Sequence, residues 1–427
     1  MMNRAHTTLS FLAPIALLTL PIGLTLGPAV TEPCIALLIA ALLASSAVHR
    51  DWHWASRPWF LFALAWWAWL LACSLPGIAA AGIWPRWTLQ ALLTIRLPLC
   101  AAAIAVLLQT RPSLSRWLRG VIVLVFAYIL AQLALQFLTG ENLFGHKMRD
   151  NGLLTGPFDR PRAGPTLMHL FSPVLLPPVF WLLARGRLGT WAGTALLSLG
   201  VAAFLPIGQR MPVLLVGFGL TVAVLLQPVL RRTAIVAVFI ASVVLAAGSI
   251  VFPPAQHRMA AFFATQMADF PNNHYGLIYT RAVAMATQHP WHGQGFAAFR
   301  TGCADSRYFT KLLDTQPTNA GGAEICVTHA HNLYLEALTD SGWPGLALFS
   351  LFALAVLITL WPRRPVTSQE GGASPPVRDP LQTALFIAAL LHLWPLSAAN
   401  AFTNPYMGVW FVLLLGWGLA RAQTSRA

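Results

Sequence analysis

Windows of nearly uninterrupted apolar residues recur along the chain, each about 18–22 residues long, the length needed to cross the hydrocarbon of a bilayer. They fall near 9–27, 30–48, 58–75, 88–109, 120–138, 165–184, 188–207, 211–229, 233–252, 343–361, 381–399 and 405–421. Of the 427 residues 57% are hydrophobic and only 9% are charged, too little polar side chain to cover a soluble domain of this size. The expected fold is therefore an all-α polytopic membrane protein of about twelve transmembrane helices. Residues 1–252 hold spans one to nine with short loops. Residues 253–342 form a large helical outer loop between spans nine and ten. Residues 343–427 hold spans ten to twelve and the C-terminal tail.

Arginine placement predicts the sidedness. Arg50 and Arg57, then Arg111, Arg116 and Arg119, then Arg185 and Arg187, Arg231 and Arg232, Arg363, Arg364 and Arg378, and finally Arg421 and Arg426 lie in alternate short segments. The positive-inside rule makes those segments, and with an even span count both termini, cytoplasmic. The net charge of +14 follows from such anchors, and without any RNA-binding motif no nucleic-acid partner is expected. Arg4 and His6 precede an apolar stretch with no small-residue cleavage site, so the N-terminus reads as a retained first helix. The Pro-, Gly- and Ser-rich segment 362–380 reads as a flexible loop.

The outer loops 139–164 and 253–342 carry most of the acids and histidines. Cys34, Cys73 and Cys100 lie in or beside spans and act as small apolar residues. Cys303 and Cys326 share the long outer loop, where an oxidising compartment favours a disulfide over two free thiols. Closing that loop would stabilise it by roughly 3 kcal/mol in the chain-entropy model.

Several cations break the charge rule. Arg86, Lys147, Arg149, Arg160, Arg162, Arg210, Arg258, Arg281, Arg300, Arg307 and Lys311 fall outside, and Arg96 falls within the fourth span. Long translocated loops escape the rule, but Arg210, wedged between two spans, and Arg96 do not. An arginine in or at the membrane is read either as a functional group or as one paired with a carboxylate or helix end, and for Arg96 both readings stand. Outer guanidinium groups suit an anionic, lipid-borne headgroup, because their planar forks bind phosphate oxygens bidentately. No Asp-x-Asp or paired-acid motif accompanies them. A cation bound to pyrophosphate wants clustered carboxylates, so neither metal nor cofactor is expected.

THAHNLYLEALTDSGWPG, residues 328–345, combines two histidines with a helical pattern. A helix from about Thr328 to Gly342 would carry Leu333, Ala337 and Leu338 on its apolar stripe. Residues two apart on a regular helix point about 200° from each other, so His329 and His331 share a pocket only if the helix begins between them. Asn332 would lie on the His329 face. A zinc site is one reading of His-x-His, though no third ligand stands nearby. Interfacial capping histidines are a second. The third is a general base, the task for which imidazole is best tuned near neutrality. A base with arginines outside a membrane suits a hydroxyl attacking a sugar held on a lipid pyrophosphate, arginine stabilising the charge on the departing phosphate.

HAHNLYLEALTDSGWPG resembles the signature of the O-antigen ligase family, a His-Asn followed by a Leu-Glu helix and a Gly-x-x-Gly break. RAVAMATQHPWHGQGF is similar to that family's arginine helix followed by His-Pro and Gly-x-Gly, and GQRMP to the arginine that opens a span before the long loop. The resemblance implies a GT-C-like membrane glycosyltransferase of the bacterial inner membrane with a periplasmic active site. It would move O-antigen from undecaprenyl pyrophosphate to the outer-core sugar of lipid A–core, without metal or nucleotide. On that resemblance His331 is the base, and Arg210 and Arg281 hold the pyrophosphate. His329, Asn332, Arg160, Arg162 and Arg96 are further candidates for substrate contact. O-antigen polymerases and pilin oligosaccharide ligases share parts of the signature. A flippase or transporter of an anionic lipid would instead line its spans with polar groups through their depth, whereas only Arg96, His169 and His392 lie buried in spans.

Overall fold

The computed structural model describes residues 2–76, 85–149, 151–251, 268–310, 321–363, 378–397 and 402–424. Its α-helices are α1 (Met2–Leu26), α2 (Pro28–His49), α3 (Pro58–Cys73), α4 (Pro85–Leu93), α5 (Arg96–Thr110), α6 (Ser113–Thr139), α7 (Ala163–Leu183) and α8 (Gly186–Ala202). They continue with α9 (Arg210–Leu226), α10 (Arg231–Val251), α11 (His274–Gln288), α12 (Ala298–Gly302), α13 (Leu333–Leu360), α14 (Pro380–Leu393) and α15 (Met407–Thr424). A helix overlies each of the twelve apolar windows. Among the described residues seven helical segments are long and apolar enough to cross a membrane, and four shorter apolar helices accompany them. The loop at 362–380 lies largely outside the described residues, as do Arg258, Lys311, Arg364 and Arg426.

Local chemistry sets the helix ends. Pro28, Pro58 and Pro380 occupy first turns, where the missing N–H has no intrahelical acceptor to lose. Gly140, at φ 85°, closes α6 in the left-handed conformation. The fourth window is broken: α4 stops at Leu93 and α5 starts at Arg96. Arg96 Nη2 there donates to Glu32 Oε1 of α2 at 3.0 Å. Of the two readings of Arg96, the paired one is what the structure contains.

The helices close around a core in which Trp410 and Trp417 are fully buried. Gly416 lets α15 approach α5, since a Cβ there would lie 2.7 Å from Ile104 Cβ and 2.8 Å from the Ala101 carbonyl oxygen. The outer loop has a smaller core of its own. Ile278, Ala282 and Met285 of α11 pack with Ala298, Phe299, Tyr308 and Ala330, and a disulfide joins Cys303 to Cys326.

α13 is interrupted where the two cores meet. Ser341 (φ −141°, ψ 16°) and Gly342 (φ 67°, ψ −168°) leave helical geometry, freeing backbone groups that a membrane cannot hydrate. The segment HPWHGQGFA takes them up. Trp343 N–H donates to the Pro290 carbonyl at 2.8 Å, while Gln294 N–H and Gly295 N–H donate to the Thr339 and Asp340 carbonyls at 2.9 Å. The Asp340 carboxylate accepts from Ala297 and Ala298 N–H at 3.2 and 2.9 Å, and Trp69 of α3 donates to the Ser341 carbonyl at 2.8 Å. The break and the His-Pro/Gly-x-Gly segment are thus one structural unit.

A side chain at Gly342 would be strained by the positive φ and would bring its Cβ to 2.5 Å from the Pro290 carbonyl oxygen. Gly342→Ala is expected to cost more than about 1 kcal/mol and to lower the unfolding temperature in detergent. Gly217→Ala, at a position with open space around it, should leave that temperature unchanged.

Candidate active site

Asn332 determines the geometry of the two histidines. Its side-chain oxygen accepts from Tyr334 N–H at 2.9 Å and Leu335 N–H at 3.1 Å, so it is the N-cap and α13 begins at Leu333, not near Thr328. Asparagine is among the strongest N-caps because its amide oxygen reaches the free N–H groups of the first turn. His329 and His331 therefore precede the helix, and the 200° separation does not apply. Their ring centroids lie 4.3 Å apart.

The backbone here is anchored on every side. Ala330 is fully buried in the outer-loop core. The Asn332 side-chain amide donates to the Pro395 carbonyl at 2.6 Å, and the Tyr334 hydroxyl donates to the Leu393 carbonyl at 2.8 Å. Tyr279 of α11 reaches the His331 carbonyl at 3.5 Å. Between these anchors His331 adopts φ 52°, a left-handed conformation uncommon in residues other than glycine. The capping and bridging roles of Asn332 occupy its amide, which departs from the expectation that it contacts substrate.

The His331 ring lies edge-to-face with Tyr275, at 5.5 Å between centroids. Among the described residues no hydrogen bond engages its ring nitrogens. His329 Nδ1 meets Thr328 Oγ1 at 2.9 Å, and its Nε2 is buried with no partner among the described residues. Burial lowers the His331 pKa to about 4, helped by the charge of His274. Burial lowers that of His329 to about 3, helped by His331 and Arg300. Both rings are neutral at neutral pH and able to accept a proton.

The arginines divide into two groups. Arg210 opens α9, and the preceding Gln209 donates to the Pro161 carbonyl at 2.7 Å. That bond ties the Arg160–Arg162 loop to the head of α9. Arg160 and Arg162 stand 3.9 and 3.7 Å from Asp159, and the Arg162 guanidinium packs 3.8 Å from the Tyr406 ring centroid. Tyr275, which packs on His331, interacts electrostatically with Arg210. Pairwise interactions link Arg210 to Tyr275, Tyr275 to His331, His331 to His329 and His329 to Arg300, a strip of five side chains.

Arg281 is different. It is only 1% exposed, and burial lowers its pKa to about 10. It donates to the Cys303 carbonyl at 2.5 Å and the Gly322 carbonyl at 3.0 Å, and lies 4.0 Å from the Phe309 ring centroid. Its fork binds the two strands joined by the disulfide. Its donors reach protein carbonyls and the Phe309 ring packs on the guanidinium.

Two members of the strip, Tyr275 and Arg300, escaped sequence reading as site residues. Tyr275 had one available signal, an aromatic residue at the start of the outer helix whose arginine was already singled out. Among the described residues no three His, Cys, Asp or Glu side chains are grouped to hold a metal ion.

Residues 174–350 match the model of the O-antigen ligase family. Over this segment the chain is similar to that family. The match contains Arg210, Arg281, His329, His331 and Asn332, whereas Arg96, Arg160 and Arg162 precede it. No curated protein matches the chain. The matched segment includes both the break in α13 and the HPWHGQGFA unit that satisfies it.

The low imidazole pKa values fix a pH dependence. Between about pH 6.5 and 4 the unfolded chain binds protons at His329 and His331 that the folded chain refuses, so stability rises with pH across this window and falls as pH drops through it. Melting curves from pH 7.5 to 4 should show the loss, and a His329→Gln, His331→Gln double variant should have a flatter profile. An equally steep profile in the double variant would assign the acid sensitivity to other groups.

Proposed function

We propose that this protein is a glycosyltransferase that moves O-antigen from undecaprenyl pyrophosphate to a hydroxyl of lipid A–core at the periplasmic face of the inner membrane. The observation that carries the reading is the strip itself: a neutral imidazole with no hydrogen bond on its ring nitrogens among the described residues, held in a left-handed conformation against Tyr275, which also interacts electrostatically with Arg210. The similarity of residues 174–350 to the O-antigen ligase family supports the reaction class. Twelve spans, a GT-C-like arrangement, cytoplasmic termini and independence from metal belong to the same reading. They rest on the apolar windows, the arginine distribution and the absence of a paired-acid motif.

In this reading His331 removes the proton of the acceptor hydroxyl as its oxygen attacks the anomeric carbon of the donor sugar. The bond from that carbon to the phosphate oxygen breaks, and its electron pair stays on the pyrophosphate. Arg210 stabilises the charge developing there, and Arg160 and Arg162 lie on the loop tied to its helix. Arg281 acts as a positioning residue: it fixes the disulfide-closed strands that carry Ala330 and the two histidines.

His331→Ala and Arg210→Ala should each abolish transfer of glycan from undecaprenyl pyrophosphate to purified lipid A–core, with the protein still inserted and folded. Arg210→Lys should also be poor, because an ammonium cannot reproduce a bidentate contact. Full activity in either alanine variant would remove that residue from the mechanism. A strain lacking the gene should accumulate bare lipid A–core with long chains still on the lipid carrier. Core capped by one repeat would instead mark a polymerase.

A further inference from the structure

A second cationic locus acts on the imidazole pair through His329, and the reaction described so far does not use it. Arg300 sits on α12 and Arg86 at the head of the apolar segment Arg86–Thr110. Both guanidinium carbons lie 5.5 Å from the ring centroid of one residue, Trp87. α12 is rigidly presented. Asp340 holds the N–H groups of Ala297 and Ala298, Phe299 is buried, and Cys303 anchors the next turn. Trp87 packs on Phe296 at 6.2 Å, and the Phe296 N–H is fixed by Ser74 Oγ at 2.9 Å.

Arg96, Arg160, Arg162, Arg307 and Arg421 each have a carboxylate within ion-pair distance. Among the described residues Arg86 and Arg300 have none. Burial holds the Glu336 carboxyl of α13 well above the usual carboxylate range, and the Arg300 charge only partly offsets it. Two guanidinium groups converging without an ion-pair partner repel each other, so an added anion relieves them. We propose that Arg300 and Arg86 bind an acidic group of the acceptor, a lipid-anchored saccharide bearing phosphate or carboxylate. This rests on the glycosyl-transfer reading above.

Three observations select the acceptor. The Arg300 charge acts on His329, and Tyr275, packed on His331, acts on Arg210. Arg210 and Arg300 thus act on different members of the strip, Tyr275 and His329, and a donor pyrophosphate at Arg210 leaves the Arg300–Arg86 pair for the second substrate. The level along the membrane normal selects an amphiphile, because Arg86 opens an apolar segment. Trp291 and Trp343, 72% and 56% exposed at the α13 break, are the amphipathic rings enriched at a membrane–water boundary. Finally, guanidinium forks match phosphate and carboxylate geometry, whereas a neutral sugar hydroxyl gives them no charge to neutralise.

The test uses the full chain in detergent, with immobilised lipid A–core in three forms: native, freed of phosphate, and with carboxyls amidated. Arg300→Ala and Arg86→Ala should each weaken binding of the native form about tenfold, the double variant more, with binding of undecaprenyl-pyrophosphate-linked glycan unchanged. Arg187→Ala, an exposed cation away from the strip, should bind like wild type. The neutralised form that wild type binds poorly identifies the acid, and Arg300→Gln repeats the measurement should the alanine variant fold badly. In transfer assays the acceptor KM should rise while the donor KM stays fixed. Equal binding of all three forms, or a loss confined to the donor, would overturn the proposal. Arginine-dependent acceptor binding by a wild type that transfers nothing would leave the subsite standing and sink the glycosyl-transfer reading instead.

Discussion

The N-cap at Asn332 is the constraint from which the site follows. One side-chain oxygen satisfies two N–H groups of the first turn of α13, and the amide nitrogen holds the Pro395 carbonyl beyond α14. Because the helix cannot begin earlier, the two histidines before it are released from helical periodicity. Because Ala330 between them is buried, their rings are brought together outside the small core. The left-handed φ of His331 is the conformational cost of that placement, of order 1–3 kcal/mol for a residue of this kind. The anchors on both sides hold it.

A second dependence runs through the break in α13. A buried backbone group left unpaired costs about 1–3 kcal/mol, so a helix can stop at the buried Gly342 only if something else bonds the freed groups. The HPWHGQGFA segment does so through bonds to Thr339, Asp340 and Trp343. Motifs about fifty residues apart thereby become a single rigid corner, and the same corner carries α12 and Arg300. The interruption positions the outer loop over the membrane helices.

The spans were legible because their signal is a length of apolar sequence, which neighbouring helices do not alter. The O-antigen ligase resemblance was legible for the same local reason, a short run of distinctive residues. The fates of the arginines were not. Arg96 and Glu32 are 64 positions apart, and nothing along the chain joins them. Arg281 reads from sequence as an outer-face cation, and only the fold brings the Cys303 and Gly322 carbonyls to its fork. The helix start was misplaced because Thr328 and Asn332 are both competent caps. Burial of Ala330 and the Asn332 bond to Pro395 decided between them, and both are tertiary facts.

A base with a pKa near 4 looks poorly matched to neutral pH, yet the value belongs to the protein without its donor. At an effective dielectric of about 20, a unit negative charge about 5 Å from the ring contributes roughly 3 kcal/mol, or about 2 pKa units. A pyrophosphate held at the Arg210 pole would therefore raise His331 from about 4 toward neutrality, partly offset by the arginine that holds it. In the glycosyl-transfer reading the imidazole becomes an effective base only once the lipid-linked glycan is in place. Before that, the same burial keeps it unprotonated and unable to trap a stray anion. In that reading, electrostatics couples proton abstraction to donor binding.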